Sequence, residues 1–131
     1  MGIIGGVDQK EQARLLDRLE SFYNRNSGAD TISQTKGIGA CRSWILSHFD
    51  QVSRENGNRL VTGYLEFDAD ICGKMHHKNP FGLLPGLDTT NHEIILIEGH
   101  FDTRNEGRFS PADSGTKRES LLLCTPDCAK H

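Results

Sequence analysis

The stretch that decides the fold class reads IILIEGHFDT and occupies residues 94–103. It begins with four consecutive aliphatic residues, and an unbroken apolar run of this kind is typical of a strand buried on both faces of a parallel sheet. We therefore predict a central strand over residues 93–99. In open α/β sheets, ligand sites lie just beyond the carboxyl ends of the strands. The sequence places His100 at that position, and Asp102 follows two residues later.

His100 and Asp102 are residue types that metal sites use. A neutral imidazole is a common metal ligand, and a neighbouring carboxylate can fix its tautomer and increase its basicity. A second interpretation is that His100 only marks the point where a buried strand leaves the core. The motif alone favours that second interpretation, and the resemblance described below favours the metal ligand.

Apolar spacing predicts two helices near the start of the chain. Residues 8–11 read DQKE, which is a capping-box pattern, and apolar residues follow at helical spacing, so we predict a helix over residues 8–23. The second predicted helix covers residues 37–49. Its apolar stripe consists of Ile38, Cys41, Ile45 and Phe49.

The middle of the chain is predicted to contain two further strands, over residues 60–67 and 81–84, separated by a polar loop over residues 68–78. Within this loop, His76 and His77 are adjacent, and neighbouring residues of an extended chain point to opposite sides. We therefore expect them to be exposed loop residues and not ligands of one metal. The predicted fold class is α/β, with a partial mixed or parallel sheet and the helices on one face.

Four segments of the chain resemble successive segments of the two-zinc aminopeptidases, a family that includes the glutamate-carboxypeptidase-like enzymes. IILIEGHFDTR, at 94–104, resembles the first metal-ligand motif of that family. LESFYNRNS, at 19–27, resembles an early L-x-S-F-x-x-R segment, and GIGACRSWI, at 37–45, resembles the helix that follows. NPFGLLPG, at 79–86, resembles an inner strand. Together the four segments cover roughly residues 15–107, in the order found in the family.

The resemblance implies an incomplete zinc-exopeptidase sandwich, two zinc ions in intact relatives and a peptide substrate. It assigns His100 as a zinc ligand and Asp102 as the residue that orients it. The family's bridging aspartate lies in a D-N-x-S-G stretch, and the nearest match here is ADSGT, at 112–116, which makes Asp113 the second candidate ligand. The family also has a Glu-Glu pair that provides a general base and a ligand, and this sequence contains no such pair.

After Arg108 the resemblance stops. We expect residues 1–108 to be the N-terminal part of a zinc-peptidase-like catalytic domain and residues 109–131 to be a divergent, disordered tail. The resulting hypothesis is a truncated portion of a longer exopeptidase, inactive as it stands. Two alternatives remain: a non-catalytic interaction module, and a related two-zinc hydrolase or cyclase that acts on a non-peptide amide.

Composition limits the partners of the chain. The net charge of −3 and the pI of about 6.0 give no electrostatic reason to expect nucleic acid or anionic membranes as partners. The first residues, MGIIGGV, lack the charged region and the apolar core of a signal peptide, although members of the resembled family are usually exported. An incomplete sheet would leave an unpaired edge, so we expect self-association through the exposed sheet.

Overall fold

The computed structural model describes residues 6–71 and 73–103. Two helices precede a β-hairpin: α1 covers Gln9–Glu20, α2 covers Gly37–Glu55, β1 covers Val61–Ile71 and β2 covers Lys74–Leu83. The predicted α/β class is confirmed. None of the helices in these described ranges is both long enough and apolar enough to cross a membrane.

Helix α1 begins as predicted and ends earlier. The Asp8 side chain caps it by accepting a hydrogen bond from the backbone N–H of Lys10 at 3.0 Å. In a capping box the Glu11 side chain would accept from the N–H of Asp8. Here the Glu11 carboxylate instead forms an ion pair with Arg14 and accepts from its Nε at 2.8 Å. The chain leaves the helix after Glu20, and this exit carries the ring of Phe22 into the core, where it is 1% exposed.

Helix α2 begins at Gly37 as predicted and continues past Phe49 to Glu55. Its two N-terminal glycines allow the preceding loop to lie directly against the first turn. Gly37 has φ +81, and its N–H donates to Phe22 O at 2.9 Å. The N–H of Gly39 donates to Asp30 O at 3.1 Å, and a Cβ at Gly39 would lie only 2.4 Å from Thr31 O. The glycine-rich start is therefore required by a close backbone approach.

The prediction of a polar loop over residues 68–78 is wrong, because residues 68–71 and 74–78 extend the two strands into one long hairpin. β1 and β2 pair antiparallel from Val61↔Leu83 to Ile71↔Lys74, with an irregularity between Asp68 and Ile71. Gly73, at φ +74, lies in the turn. Polar residues are compatible with a largely exposed two-stranded ribbon because cross-strand pairs can hold them. Lys78, for example, donates to the Glu66 carboxylate at 2.8 Å.

The predicted strand over residues 93–99 is also not formed. Residues 91–103 contain no helix or strand, and the side chains of Ile94, Ile95, Leu96 and Ile97 are 77–90% exposed. A buried parallel strand needs neighbouring strands that take up its backbone hydrogen bonds. In the described chain β1 and β2 pair with each other, and the sheet is antiparallel. The apolar run therefore has no strand partner among these residues, and the expected sandwich is not confirmed.

The core lies where α2 meets the segment after α1. Its buried members are Phe22, Ile38, Ala40 and Cys41, and the half-buried side chains packed on it include Trp44 and Phe101. The other end of α2 is attached to the hairpin. There the Ser53 hydroxyl donates to Leu60 O at 2.8 Å and accepts from Leu60 N–H at 3.1 Å. Helix α2 thus joins the core to the sheet.

Candidate metal-binding site

His100 and Asp102 lie in contact beside the core. The distance between His100 Nδ1 and Asp102 Oδ1 is 3.0 Å. In the neutral ring this contact is a hydrogen bond donated by Nδ1–H, and it leaves Nε2 with a free lone pair. The His100 side chain is 54% exposed, whereas that of Asp102 is 26% exposed. The arrangement is an accessible imidazole nitrogen whose ring is oriented by a more buried carboxylate, as in ligand–carboxylate pairs of metal sites.

Three contacts hold residues 101–103 against the segment that follows α1. The Ser27 hydroxyl donates to Asp102 Oδ2 at 3.1 Å, so both carboxylate oxygens of Asp102 are engaged. The backbone N–H of Thr103 donates to Arg25 O at 3.2 Å. The Phe101 ring packs against the buried core cluster. The end of the motif is therefore anchored by a hydroxyl, a backbone hydrogen bond and apolar packing.

The anchoring loop, residues 24–28, is itself ordered by short-range hydrogen bonds. Asn24 Oδ1 accepts from the N–H of Asn26 at 2.9 Å, and Asn26 Oδ1 accepts from the N–H of Gly28 at 2.8 Å. Such bonds from an asparagine to the backbone two residues later replace those that a helix or sheet would supply. They give the loop, and with it Ser27, a defined conformation.

Arg25 places a positive charge beside this site. Its Nε and Nη1 atoms are buried and have no hydrogen-bond partner among the described residues. Burial lowers the pKa of the Arg25 guanidinium, and the charges of the Cys41, Glu20 and Asp102 groups act in the opposite direction. Guanidinium groups keep their proton in proteins, so Arg25 remains a cation near Asp102.

Cys41 lies in the core, and its burial disfavours the thiolate form. Burial raises the pKa of its thiol to about 11, against the opposing influence of Arg25 and Arg18. Metal binding and nucleophilic attack both require the thiolate. The complete burial of Cys41 is consistent with its position on the predicted apolar stripe of the second helix.

His76 and His77 lie on the hairpin and have separate partners. His76 Nδ1 is 2.5 Å from Asp68 Oδ1, whereas the His77 ring stacks on Phe67 with 5.4 Å between ring centroids. The two rings thus have different surroundings, as expected for neighbours in an extended chain. They are strand residues and not the loop residues that the sequence suggested.

Within residues 6–71 and 73–103, no three His, Cys, Asp or Glu side chains are placed so that they could hold one metal ion. His100 is one candidate ligand, and Asp102 is its supporting carboxylate. Asp113 lies outside the described residues, and so does the predicted boundary at residue 108. The assignments of His100, Asp102 and Asp113 therefore stay predictions. The geometry of the first two fits a single position in a zinc ligand set.

Comparison with known proteins finds relatives named "Probable zinc metalloprotease" in three fungi. The relative from Pyricularia oryzae is 29% identical over 105 residues, which are 77% of this chain and 21% of that protein. The relative from Phaeosphaeria nodorum is 24% identical over 110 residues, or 79% of this chain and 22% of that protein. The relative from Pyrenophora teres f. teres is 22% identical over 109 residues, or 79% and 23%.

The chain thus spans about a fifth of the length of the curated relatives it matches. Over about three quarters of its own length it is similar to proteins of the zinc metallopeptidase kind. The names do not distinguish two-zinc aminopeptidases from other zinc metallopeptidases. No family model matches the chain, and no solved structure matches it significantly.

Sequence reasoning missed Ser27 and Arg25 as neighbours of the candidate site. The asparagines, serine and glycine of residues 24–28 are typical turn residues, and this composition is the signal that could have indicated an ordered loop there. A Cβ at Gly99 would have nothing within 4 Å among the described residues, so no close backbone approach requires a glycine next to His100.

Proposed function

We propose that this chain is the N-terminal portion of a zinc-dependent exopeptidase of the two-zinc aminopeptidase kind, with a peptide as its substrate. His100 is a zinc ligand, Asp102 orients it and Asp113 is a second ligand. The observation that carries the proposal is the contact of His100 Nδ1 with a carboxylate, which in the neutral ring leaves Nε2 of a half-exposed side chain available to a metal. Similarity to proteins named probable zinc metalloproteases supports it.

Each of these residues has a defined chemical task. Bound zinc would lower the pKa of a coordinated water and polarise the substrate carbonyl. His100 would present Nε2 to the metal. Asp102 would hold the Nδ1 proton, which keeps the ring in the ligating tautomer and makes it a stronger donor. Arg25 adds positive charge near Asp102.

The 131-residue polypeptide on its own is expected to show little or no turnover. Its sequence has no Glu-Glu pair, and in the resembled family this pair provides the general base. Positioned general bases typically contribute about 10²–10⁴-fold in rate. A catalytic zinc also usually has three protein ligands, and this chain offers two candidates.

Zinc titration of point variants tests the ligand assignment. His100→Ala should weaken the binding of Zn²⁺ at least 10-fold, measured by competition with a chromogenic chelator. His76→Ala is a matched control, because His76 also has its Nδ1 next to an aspartate oxygen and is also exposed. His76→Ala should leave the affinity unchanged. Equal affinities of the wild type and the His100→Ala variant would exclude His100 as a ligand.

Sequencing the DNA that follows the codon for residue 131 shows whether a Glu-Glu pair is encoded downstream, and a longer chain that contains this pair is then tested with a substrate panel. Hydrolysis of aminoacyl-anilides supports an exopeptidase. Turnover of a non-peptide amide without aminoacyl-anilide hydrolysis would instead indicate a related hydrolase or cyclase. Absence of an Asp-Asn-x-Ser-Gly segment and a Glu-Glu pair in every downstream frame would contradict the proposal of a longer exopeptidase.

A second candidate function, self-association, is favoured by a separate observation. Residues 94–97 are consecutive aliphatic residues with almost fully exposed side chains. Contiguous exposed apolar surface favours association. We propose that this segment pairs with a second copy of the chain.

A further inference from the structure

We propose that Ser27 is a positioning residue for the His100 ring, which it orients through the Asp102 carboxylate. The inference rests on the proposed function for the identity of the metal that His100 would hold. It deepens that function by adding a residue far from the motif in sequence. The geometric claim can be tested without metal.

Among the described residues, His100 has little besides Asp102 to orient it. Residues 91–103 belong to no helix or strand, and the four aliphatic residues upstream of the motif face solvent. Gly99, next to the histidine, has open space around it. The orientation of the His100 ring therefore depends on the residues that fix the side chain of Asp102, because His100 Nδ1 is hydrogen-bonded to that side chain.

The Asp102 carboxylate is fixed through both of its oxygens. Asp102 has two oxygens, and a carboxylate on an irregular segment can rotate about χ1 and χ2 unless both oxygens are engaged. Ser27 Oγ donates to Oδ2 at 3.1 Å, and His100 Nδ1 lies 3.0 Å from Oδ1. With both oxygens engaged, the carboxylate plane is defined, and so is the side from which it accepts the imidazole proton.

Hydrogen bonds within the anchoring loop hold Ser27 in place independently of Asp102. The anchoring loop is braced by the two asparagine bonds described above, and the N–H of Ala29 also donates to Asn26 O at 2.8 Å. The same loop accepts the N–H of Thr103 through Arg25 O at 3.2 Å. Ser27 therefore connects the ordered loop, through the Asp102 carboxylate, to His100, which has few other contacts among the described residues.

Nitrogen NMR of the His100 ring in the metal-free 131-residue chain tests this inference. Long-range ¹H–¹⁵N spectra distinguish the Nδ1–H from the Nε2–H tautomer of the neutral ring. The wild type should be mainly Nδ1–H, Ser27→Ala should shift to a mixture of the two forms, and Ser27→Thr should restore the wild-type pattern. Ser43→Ala is the matched control, since the Ser43 hydroxyl donates to Gly39 O within α2.

An unchanged tautomer in Ser27→Ala would overturn the inference, and so would loss of the wild-type tautomer in Ser27→Thr. If Ser27→Ala unfolds, Ser27→Val and Ser27→Thr provide the same comparison at matched side-chain volume. Loss of a residue that directly supports a metal ligand typically costs 10–100-fold in metal affinity, so for this residue, one step further away, we expect about 3–10-fold weaker Zn²⁺ binding.

The two proposals fail in different ways. If His100→Ala leaves the Zn²⁺ affinity unchanged, the proposed function fails, while the tautomer comparison still decides the role of Ser27. If the tautomer is insensitive to Ser27 but His100→Ala abolishes Zn²⁺ binding, the ligand assignment stands and the positioning role is wrong.

Discussion

Replacing Gly39 by alanine should destabilise the protein, although alanine is the better helix former. Gly39 lies in the first turn of α2, where the preceding loop crosses the helix backbone. A Cβ there would lie 2.4 Å from Thr31 O, 2.6 Å from Thr31 C and 2.7 Å from Thr31 Cα. These contacts are with backbone atoms, so no side-chain rotation can relieve them. Distances below 3.0 Å are essentially never observed for Cβ atoms, so the loop must move by at least about 0.6 Å.

The expected loss follows from three contributions. Forcing extra volume into a well-packed site costs about 1–3 kcal/mol. Moving the loop also weakens the bond from Gly39 N–H to Asp30 O, now 3.1 Å, and a hydrogen bond of this kind contributes about 0.5–1.5 kcal/mol. The higher helix propensity of alanine offsets this loss by about 1 kcal/mol. The net effect is a decrease of about 2 kcal/mol in the free energy of unfolding.

Urea unfolding followed by tryptophan fluorescence measures this change. Trp44 is the single tryptophan, and its ring lies 5.8 Å from the buried Phe22 ring, so its emission reports on the core beside Gly39. Gly99→Ala is the control, because nothing lies within 4 Å of the added Cβ, and its effect should stay within about 0.5 kcal/mol. A Gly39→Ala variant as stable as the wild type, or more stable, would refute the reasoning and show that helix propensity dominates.

Three further predictions concern the core, the exposed segment and the buried cation. Burial raises the pKa of the Cys41 thiol from 9.0 to about 11, so between these pH values this thiol ionises in the unfolded chain but not in the folded one. The free energy of unfolding should therefore fall as the pH rises through that window, by at most about 1.4 kcal/mol per pH unit. Equilibrium unfolding at several pH values should show this fall in the wild type and not in the Cys41→Ala variant. Ile95→Lys replaces a 90% exposed aliphatic residue by a charged one, so it should weaken self-association, measured by sedimentation equilibrium, and leave the stability of the monomer unchanged. A wild type that is monomeric at every concentration would contradict the proposed pairing of residues 94–97 with a second copy. Arg25→Met removes two buried guanidinium nitrogens that have no hydrogen-bond partner among the described residues. It should raise the free energy of unfolding by about 1 kcal/mol, and a decrease in thermal or urea unfolding experiments would contradict this expectation.

Local sequence was sufficient wherever neighbours along the chain supply the stabilising contacts. The start of α1 was predictable because its cap is a side chain adjacent to the helix, Asp8. The start of α2 was predictable because its glycines precede a run of apolar residues at helical spacing. The spacing of His100 and Asp102 likewise indicated their contact, since two residues so close in sequence can meet without help from the rest of the fold.

Tertiary contacts decided the features that sequence reasoning missed. Residues 68–78 look like a loop by composition, but residues 68–71 and 74–78 lie in strands because β1 and β2 pair across the hairpin. Residues 94–97 look like a buried strand, but a strand needs partners for its backbone, and the described residues provide none. Ser27 is 75 residues from Asp102 along the chain, so only the packing of the anchoring loop against residues 101–103 could bring the two side chains together.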